Sequence, residues 1–344
     1  MGEWKTCQLG DLVTFQRGRD LPKTQMQGGE YPVVGSNGII GYHNEYTTEF
    51  PSITIGRSGN VGKPFLYKGR SWSHNTSLYI KEYKNVDPIF IFYFLQTLDL
   101  GNYAGGSAVP TLNRNHIHTL NVCVPTDVEE QRRIAAVLSV LSEKIEENEK
   151  INNNLEQQAQ AIFSNMFPNI LVSDSSTTLQ KMIEFSNGKK RPEALGNIPV
   201  YGGNGILAYT NQANAENCVI IGRVGAYCGN TFLCLGKCWT SDNAIQAKSK
   251  NCSSPLFIYY LLKNAALPSR HIGTGQPLMT QGILNAIPIN EPPLQAVKNF
   301  ISICQPIHQM ISANEKENAT LSSLRDAFLP RLMSGELDVS SIDL

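Results

Sequence analysis

The chain repeats itself. The stretch YPVVGSNGII at residues 31–40 returns as IPVYGGNGIL at 198–207, an offset of 167 in a chain of 344 residues. ITIGRSGNVG (53–62) is answered by VIIGRVGAYCG (219–229), and DPIFIFYFL (87–95) by SPLFIYYLL (254–262). GSAVPTL at Gly106 is answered by GTGQPLM at Gly273, and Trp72 by Trp239. The offset drifts by only a residue or two across each half, which chance matches would not do. The chain is a tandem duplication, with units of about 9–166 and 179–332. A period this long demands two whole domains, because solenoid repeats run only about 20–50 residues.

Each copy ends in a segment of different character. Residues 128–166, VEEQRRIAAVLSVLSEKIEENEKINNNLEQQAQAIFSNM, contain no Gly or Pro and are rich in helix formers. Thr126 and Glu129, directly after Pro125, have the spacing of a capping box. The apolar seam runs Ile134, Leu138, Leu141, Ile145, Asn148, Asn152, Leu155, Ala159, Ile162, Met166. Steps of four and three are the heptad rule of a coiled coil. Asn148 and Asn152 sit mid-seam, where asparagine either fixes register and partner at a cost in stability or leaves a solvated gap. After Pro292 and Pro293 a second helical pattern runs from Leu294 to about Met333, with a seam including Ile301, Ile311, Asn318, Leu321, Phe328 and Leu332. Pro306 interrupts it, and a bend is expected there. The simplest arrangement packs the two helices antiparallel about a pseudo-twofold axis.

The remainder of each copy reads as short strands and loops with some helix. PSITIGR and NCVIIGR have β character. PIFIFYFLQTL and PLFIYYLLKNA read as short buried helices, although periodicity alone does not exclude strands. Asn37-Gly38 and Asn204-Gly205 mark turns. The expected fold is α+β: two homologous α/β domains at 1–126 and 175–293, each followed by a long helix, at 127–168 and 294–335.

Composition excludes several classes. The apolar share, 41%, suffices for real cores, and no apolar run approaches the roughly 20 residues that cross a bilayer. The opening MGEWKTCQLG has no basic start followed by an apolar stretch, so no secretory signal is expected. Eight cysteines without a close pairing pattern suit free thiols in a reducing cytoplasm. Four of them, Cys218, Cys228, Cys234 and Cys238, fall close together and could be zinc ligands. The lack of a Cys-x-x-Cys pair, and of matching cysteines in the first half, favours small buried thiols and no metal. Net charge is zero, but the average hides a division. Residues 1–126 carry 11 basic and 9 acidic groups, 175–293 carry 10 and 5, and 127–166 carry 4 and 8. The globular parts are basic and the first long helix acidic, and a partner feels that distribution, not the sum.

Catalytic motifs are missing. GRSGNVGKP has the wrong spacing for a phosphate loop, and Pro64 follows Lys63 where Ser or Thr would hold magnesium. NEPPL (290–294) lacks the aromatic that would stack on a flipped base. His43, His74, His116, His118, His271 and His308 form no repeated cluster. No catalytic constellation is expected in this chain.

A duplicated basic domain with a coiled-coil spacer points to bipartite recognition, and the residues carry a resemblance. PTDVEEQRRIAAVLSVLSEKIEENEKINNNLEQQAQAIF (125–163) resembles the central conserved helix of specificity subunits of type I restriction-modification systems. LRDAFLPRLMSGELDV (324–339) resembles their C-terminal counterpart, and IGRSGNVG and IGRVGAYCG resemble the Gly-Arg-x-Gly loops of their target-recognition domains. The resemblance covers essentially the full chain. It implies a cytoplasmic, non-catalytic subunit in which each copy reads one half of a split double-stranded DNA site. The partners it implies are two modification (adenine N6 methyltransferase) subunits and, for cleavage, restriction (motor-nuclease) subunits. S-adenosylmethionine, ATP and magnesium would belong to those partners, with no cofactor in this chain. Competing readings are a stand-alone methyltransferase or nuclease, and a coiled-coil scaffold that never touches DNA.

Arg pairs bidentately with guanine, and Asn or Gln with adenine. The candidate DNA-facing residues are therefore Arg57, Ser58 and Asn60, matched by Arg223 and Tyr227. Next come His74 and Asn75, matched by Asp242 and Asn243, then Thr111, Asn113 and Arg114, matched by Gln276 and Thr280. Because Arg57 and Arg223 recur, each is open to three roles: base readout, phosphate contact or holding its domain together.

Overall fold

The computed structural model describes residues 3–106, 110–171, 177–251, 254–273 and 275–339. Ser107–Val109 within the Gly106 echo, Thr274 within its partner, and the expected domain start at 175 lie outside the described residues. The chain divides into two compact units, Met1–Asn148 with Lys316–Leu344, and Glu149–Glu315. In chain order the first carries β1 (Trp4–Gln8), α1 (Leu9–Leu12), β2 (Val13–Arg17), β3 (Tyr31–Gly35), β4 (Gly38–His43), β5 (Ser52–Gly56), β6 (Pro64–Tyr67), β7 (Trp72–Ser73), β8 (Ser77–Tyr83), α2 (Pro88–Gln96), β9 (Ala104–Gly105), β10 (Thr111–Leu112), α3 (Arg114–His118) and β11 (Asn121–Pro125). The long helix α4 (Val128–Met166) follows. Then come β12 (Ile183–Asn187), β13 (Ile198–Gly202), β14 (Gly205–Thr210), β15 (Ala215–Gly222), β16 (Thr231–Thr240), β17 (Ala244–Ser249), α5 (Leu256–Asn264), α6 (Gln281–Asn285) and the second long helix, α7 (Leu294–Met333).

The duplication seen in the sequence is a duplication of topology. In the first unit β2, β8, β5 and β6 form one antiparallel sheet, and β4, β3 and β7 form another, with β3 and β7 parallel. In the second unit the same strands form one six-stranded sheet, ordered β12-β17-β15-β16-β13-β14, with β13 and β16 parallel. The difference is local. Strand β16 runs ten residues without interruption, whereas its counterpart is broken into β6 and β7 around Gly69. The parallel pairs coincide across the repeat, Val33 facing Trp72 and Val200 facing Trp239.

The ambiguous apolar runs are helices. Asp87 caps α2 by accepting from the Ile89 and Phe90 amides at 2.9 Å, and Pro88 occupies the first turn, where a missing N–H is harmless. Phe90, Ile91, Phe94 and Leu95 of α2 join Phe15, Ile53, Ile55 and Leu78 of the sheet in one buried core. Phe257, Ile258, Leu261 and Leu262 of α5 do the same in the second unit.

Each unit closes over part of both long helices. In the first, Ile134 and Leu138 of α4 share the core with Leu332 and Met333 of α7, flanked by Phe328. Asn148 is buried, and its amide donates to Glu317 Oε2 and Asn318 Oδ1, both at 2.8 Å. Leu141, Ile145 and Leu321 are half-buried. As α4 advances from Ile134 to Asn148, its partners on α7 fall from Leu332 to Asn318, so the helices run antiparallel there. The second unit repeats the arrangement. Asn314 donates to Asn152 Oδ1 at 2.8 Å, and Phe163 packs edge-on to Phe300 with centroids 5.4 Å apart. Phe167, Phe257 and Tyr260 complete the ring around Phe163 at 5.2–6.1 Å. Leu155, Ile162, Met166, Ile301 and Ile311 are half-buried, and Ala159 is fully buried.

One expectation needs correction. The cap of α4 is Asp127, not Thr126. Asp127 Oδ1 accepts from the Glu129 amide at 3.0 Å, and its carbonyl accepts the Gln131 amide. Thr126 is drawn instead to the β1 end, where its amide and its hydroxyl both donate to the Glu3 carbonyl. Pro306 lies inside the second long helix, which runs as one 40-residue element over the expected span. A mid-helix proline costs about 3 kcal/mol. Buried anchors on both sides, Phe300 and Cys304 before it and His308 after it, offset that cost.

His308 belongs to a buried polar network of the second unit. Tyr260 donates to Glu156 Oε2 at 2.9 Å, His308 Nε2 lies 2.7 Å from the Tyr260 oxygen, and Lys263 reaches Glu156 Oε1 at 2.7 Å. Because the Tyr260 proton goes to Glu156, His308 donates from Nε2. Burial lowers the His308 pKa, Glu156 opposes that, and Lys263 adds to it. Burial alone would raise the Glu156 carboxyl, but Lys263 and the hydroxyls of Tyr259 and Tyr260 hold it below its usual range. The folded unit therefore favours neutral imidazole. As pH falls through the ordinary value of 6.5, the unfolded chain takes up the proton first and stability is lost. Thermal denaturation should show the second unit weakening as pH falls below about 6.5, and His308→Gln should flatten that limb. An equally steep limb in the variant would contradict this assignment.

Candidate nucleic-acid interface

Strand β5 ends at Gly56, and the chain turns back on itself at once. A Cβ on Gly56 would lie 1.8 Å from the Asn60 carbonyl oxygen, so only glycine fits. The Gly62 amide donates to the Gly56 carbonyl at 2.8 Å and closes the loop. The second unit does the same. A Cβ on Gly222 would meet the Tyr227 carbonyl at 2.1 Å, and Gly229 donates to Gly222 at 2.8 Å.

The arginine after that glycine stitches three loops together. The Arg57 amide donates to Thr76, its carbonyl accepts from Leu112, and its guanidinium reaches the Asn75 carbonyl at 3.5 Å. Arg223 donates to Asn243, accepts from Met279, and reaches the Asp242 carbonyl at 3.3 Å. Ser58 bridges Thr111, and Val224 bridges Leu278. The segments around 56–62, 74–76 and 110–114 therefore meet in the first unit, and those around 222–229, 241–243 and 275–281 in the second. The β3–β4 turn lies alongside, since a Cβ on Gly59 would be 3.2 Å from Ser36 Oγ.

Within these clusters the candidate side chains are not equally available. Asn75 is held by Asp20 at 2.5 Å, and His74 lies against Thr76 at 3.1 Å and Asp20 at 4.0 Å. Burial pushes the His74 pKa down, against Asp20. Asn113 and Thr280 are the caps of α3 and α6, accepting from the Asn115 and Ile283 amides. Asn60, Asp242, Asn243 and Gln276 are exposed, as is Tyr227 at 47%.

In the first unit the cluster encloses a recess of about 610 Å³. Arg57, Thr111, Asn113 and Arg114 line it, and so do Gln16, Arg17 and His116, which the sequence did not single out. Burial, and then the Arg17 charge, lower the Arg57 pKa, yet a guanidinium stays charged at neutral pH. Three cationic groups on one recess form an anion-attracting surface.

The clustered cysteines take another place. Cys218, Cys234 and Cys238 are buried together between β15 and β16, with Cys218 Sγ 3.8 Å from Cys238 Sγ. Cys228 stands apart and contacts the Arg223 carbonyl. Among the described residues no group of three or more His, Cys, Asp or Glu is arranged to hold a metal ion.

Residues 1–157 and 178–323 each match the type I restriction modification DNA specificity domain. The chain is 25% identical over 304 residues to the type I restriction enzyme MjaIX specificity subunit of Methanocaldococcus jannaschii, covering 74% of this chain and 70% of that one. It is 28% identical over 142 residues to the EcoprrI specificity subunit of Escherichia coli, covering 40% and 35%. Its fold is similar to the crystal structure of a type I restriction-modification S subunit from M. genitalium, with a TM-score of 0.63, 18% identity and 96% of each chain covered. On these matches, and on the repeated fold that underlies them, the chain belongs to the type I restriction modification DNA specificity domain family, with the domain present twice in tandem.

Proposed function

We propose that this type I specificity subunit reads a split double-stranded DNA site, one half with each globular unit, and scaffolds two adenine N6 methyltransferase subunits along its long helices. The observation that carries the reading is the repetition of one loop cluster, stitched by Arg57 in the first unit and Arg223 in the second. A framework kept constant beneath differing loop residues suits two readers of unlike sequences. The basic balance of both globular segments supports contact with phosphates. Restriction subunits would join the same complex for cleavage. S-adenosylmethionine, ATP and magnesium would be bound by the partners, and the complex would work in the cytoplasm. No helix among the described residues is long and apolar enough to cross a membrane.

The subunit is non-catalytic, and alone it should methylate and cut nothing. Adenine methylation by the pure chain, free of modification subunit, would contradict the reading and favour a stand-alone enzyme. A scaffold that ignores DNA would give no salt-dependent shift of labelled duplex by the purified assembly.

Replacing residues 179–291 with the corresponding segment of a relative should alter one half of the methylated motif only. If both halves changed, the two-reader account would fail. Arg57→Ala and Arg223→Ala should each weaken binding, by roughly 1–3 kcal/mol if the guanidinium meets a base edge. A phosphate contact would instead weaken all sequences alike and reduce the salt slope by about one. Folded variants that bind DNA as the parent does would show that these loops face elsewhere.

A further inference from the structure

Residues shared by both units cannot by themselves distinguish two half-sites, so the differences at equivalent positions must carry the distinction. The ladders define equivalence without ambiguity. Arg17 ends β2 opposite Leu78, and Asn187 ends β12 opposite Ile245, the same place in the repeated sheet. Arg114 is the first residue of α3, after its cap Asn113, and Gln281 is the first of α6, after its cap Thr280. Arg17 and Arg114 both line the recess of the first unit and are exposed. Neither guanidinium makes a hydrogen bond or ion pair with the described residues. Their counterparts differ in kind. The Gln281 amide, oriented so that both ends are satisfied, donates to the Phe185 carbonyl at 3.1 Å and accepts from the Asn187 amide at 3.2 Å. The second unit thus presents no guanidinium at either place and uses one side chain internally.

We infer that Arg17 and Arg114 are specificity-determining residues that read guanine in the half-site of the first unit, and that the second unit reads its half-site without them. A guanidinium without a partner among the described residues presents a fork of donors that matches the O6 and N7 acceptors of guanine. Arg57 and Arg223, tied to backbone carbonyls in both units, perform a common task and do not separate the halves. The inference rests on the DNA-reading role proposed above.

The test is methylation of a randomised duplex library by the chain assembled with its modification partner, as parent, Arg17→Asn, Arg114→Gln and the two Arg→Lys variants. The half-site of the first unit is the one left unchanged when 179–291 is replaced. That half should contain guanine. Arg17→Asn and Arg114→Gln should each lose preference at a guanine there by roughly 5- to 150-fold, with the other half untouched and lysine, which lacks the planar fork, restoring it only in part. A first half-site without guanine would overturn the inference. So would variants that lower methylation equally on every sequence and recover with lysine, the pattern of a phosphate contact. If the parent assembly yielded no split motif at all, the DNA-reading role itself would fall, and this assignment with it.

Discussion

Neither long helix can stand by itself in water. Each has an apolar seam along 39 or 40 residues and polar residues elsewhere, and most helical stability in proteins comes from burying such a seam. The burial of α4 and α7 side by side, under the short helix of each globular half, is the interaction on which the other features depend. In the second unit Phe163 is the pivot, 1% exposed and ringed by aromatic groups from α5 and α7. Truncating so enclosed a ring costs about 3–5 kcal/mol, a large share of any domain's stability. The paired asparagines, Asn148 with Asn318 and Asn152 with Asn314, then select one register among those the apolar seam would tolerate.

That anchoring holds the loops. The sheets deliver Gly56 and Gly222 to equivalent places within their own units, and the tight return after each glycine leaves the following arginine with both backbone groups engaged across two other loops. Loops tied in this way are presented without a large ordering cost on binding. The residues between the tie points differ between the two copies while the frame is kept.

Much of this was legible in the sequence, and the exceptions have physical reasons. The duplication, the two long helices and the Gly–Arg echo were visible because spacing and glycine geometry are local properties. The cap at Asp127 was not, because Thr126 and Asp127 are both able to cap a helix. The choice falls to the β1–β11 ladder, which claims Thr126. The anchors Phe300, Cys304 and His308 escaped the heptad reading because Pro306 and a titratable side chain disguise the pattern. Their burial is set by Tyr260 and Phe163, which are distant in the chain. Arg17 reads as an ordinary solvated strand end, and only the fold brings it to Arg57 and Arg114. A comparison of strand ends between the two copies, Arg17-Gly18 against Asn187-Gly188, would have exposed it.

The central claim is that the two stitched loop clusters face DNA. Hydrogen–deuterium exchange of the assembled complex, with and without its cognate duplex, tests it most directly. Bound DNA should slow backbone amides within 56–62 and 110–114 and within 222–229 and 275–281, in both halves together. A complex shown to be saturated with DNA, yet with unchanged exchange in both clusters, would contradict the account.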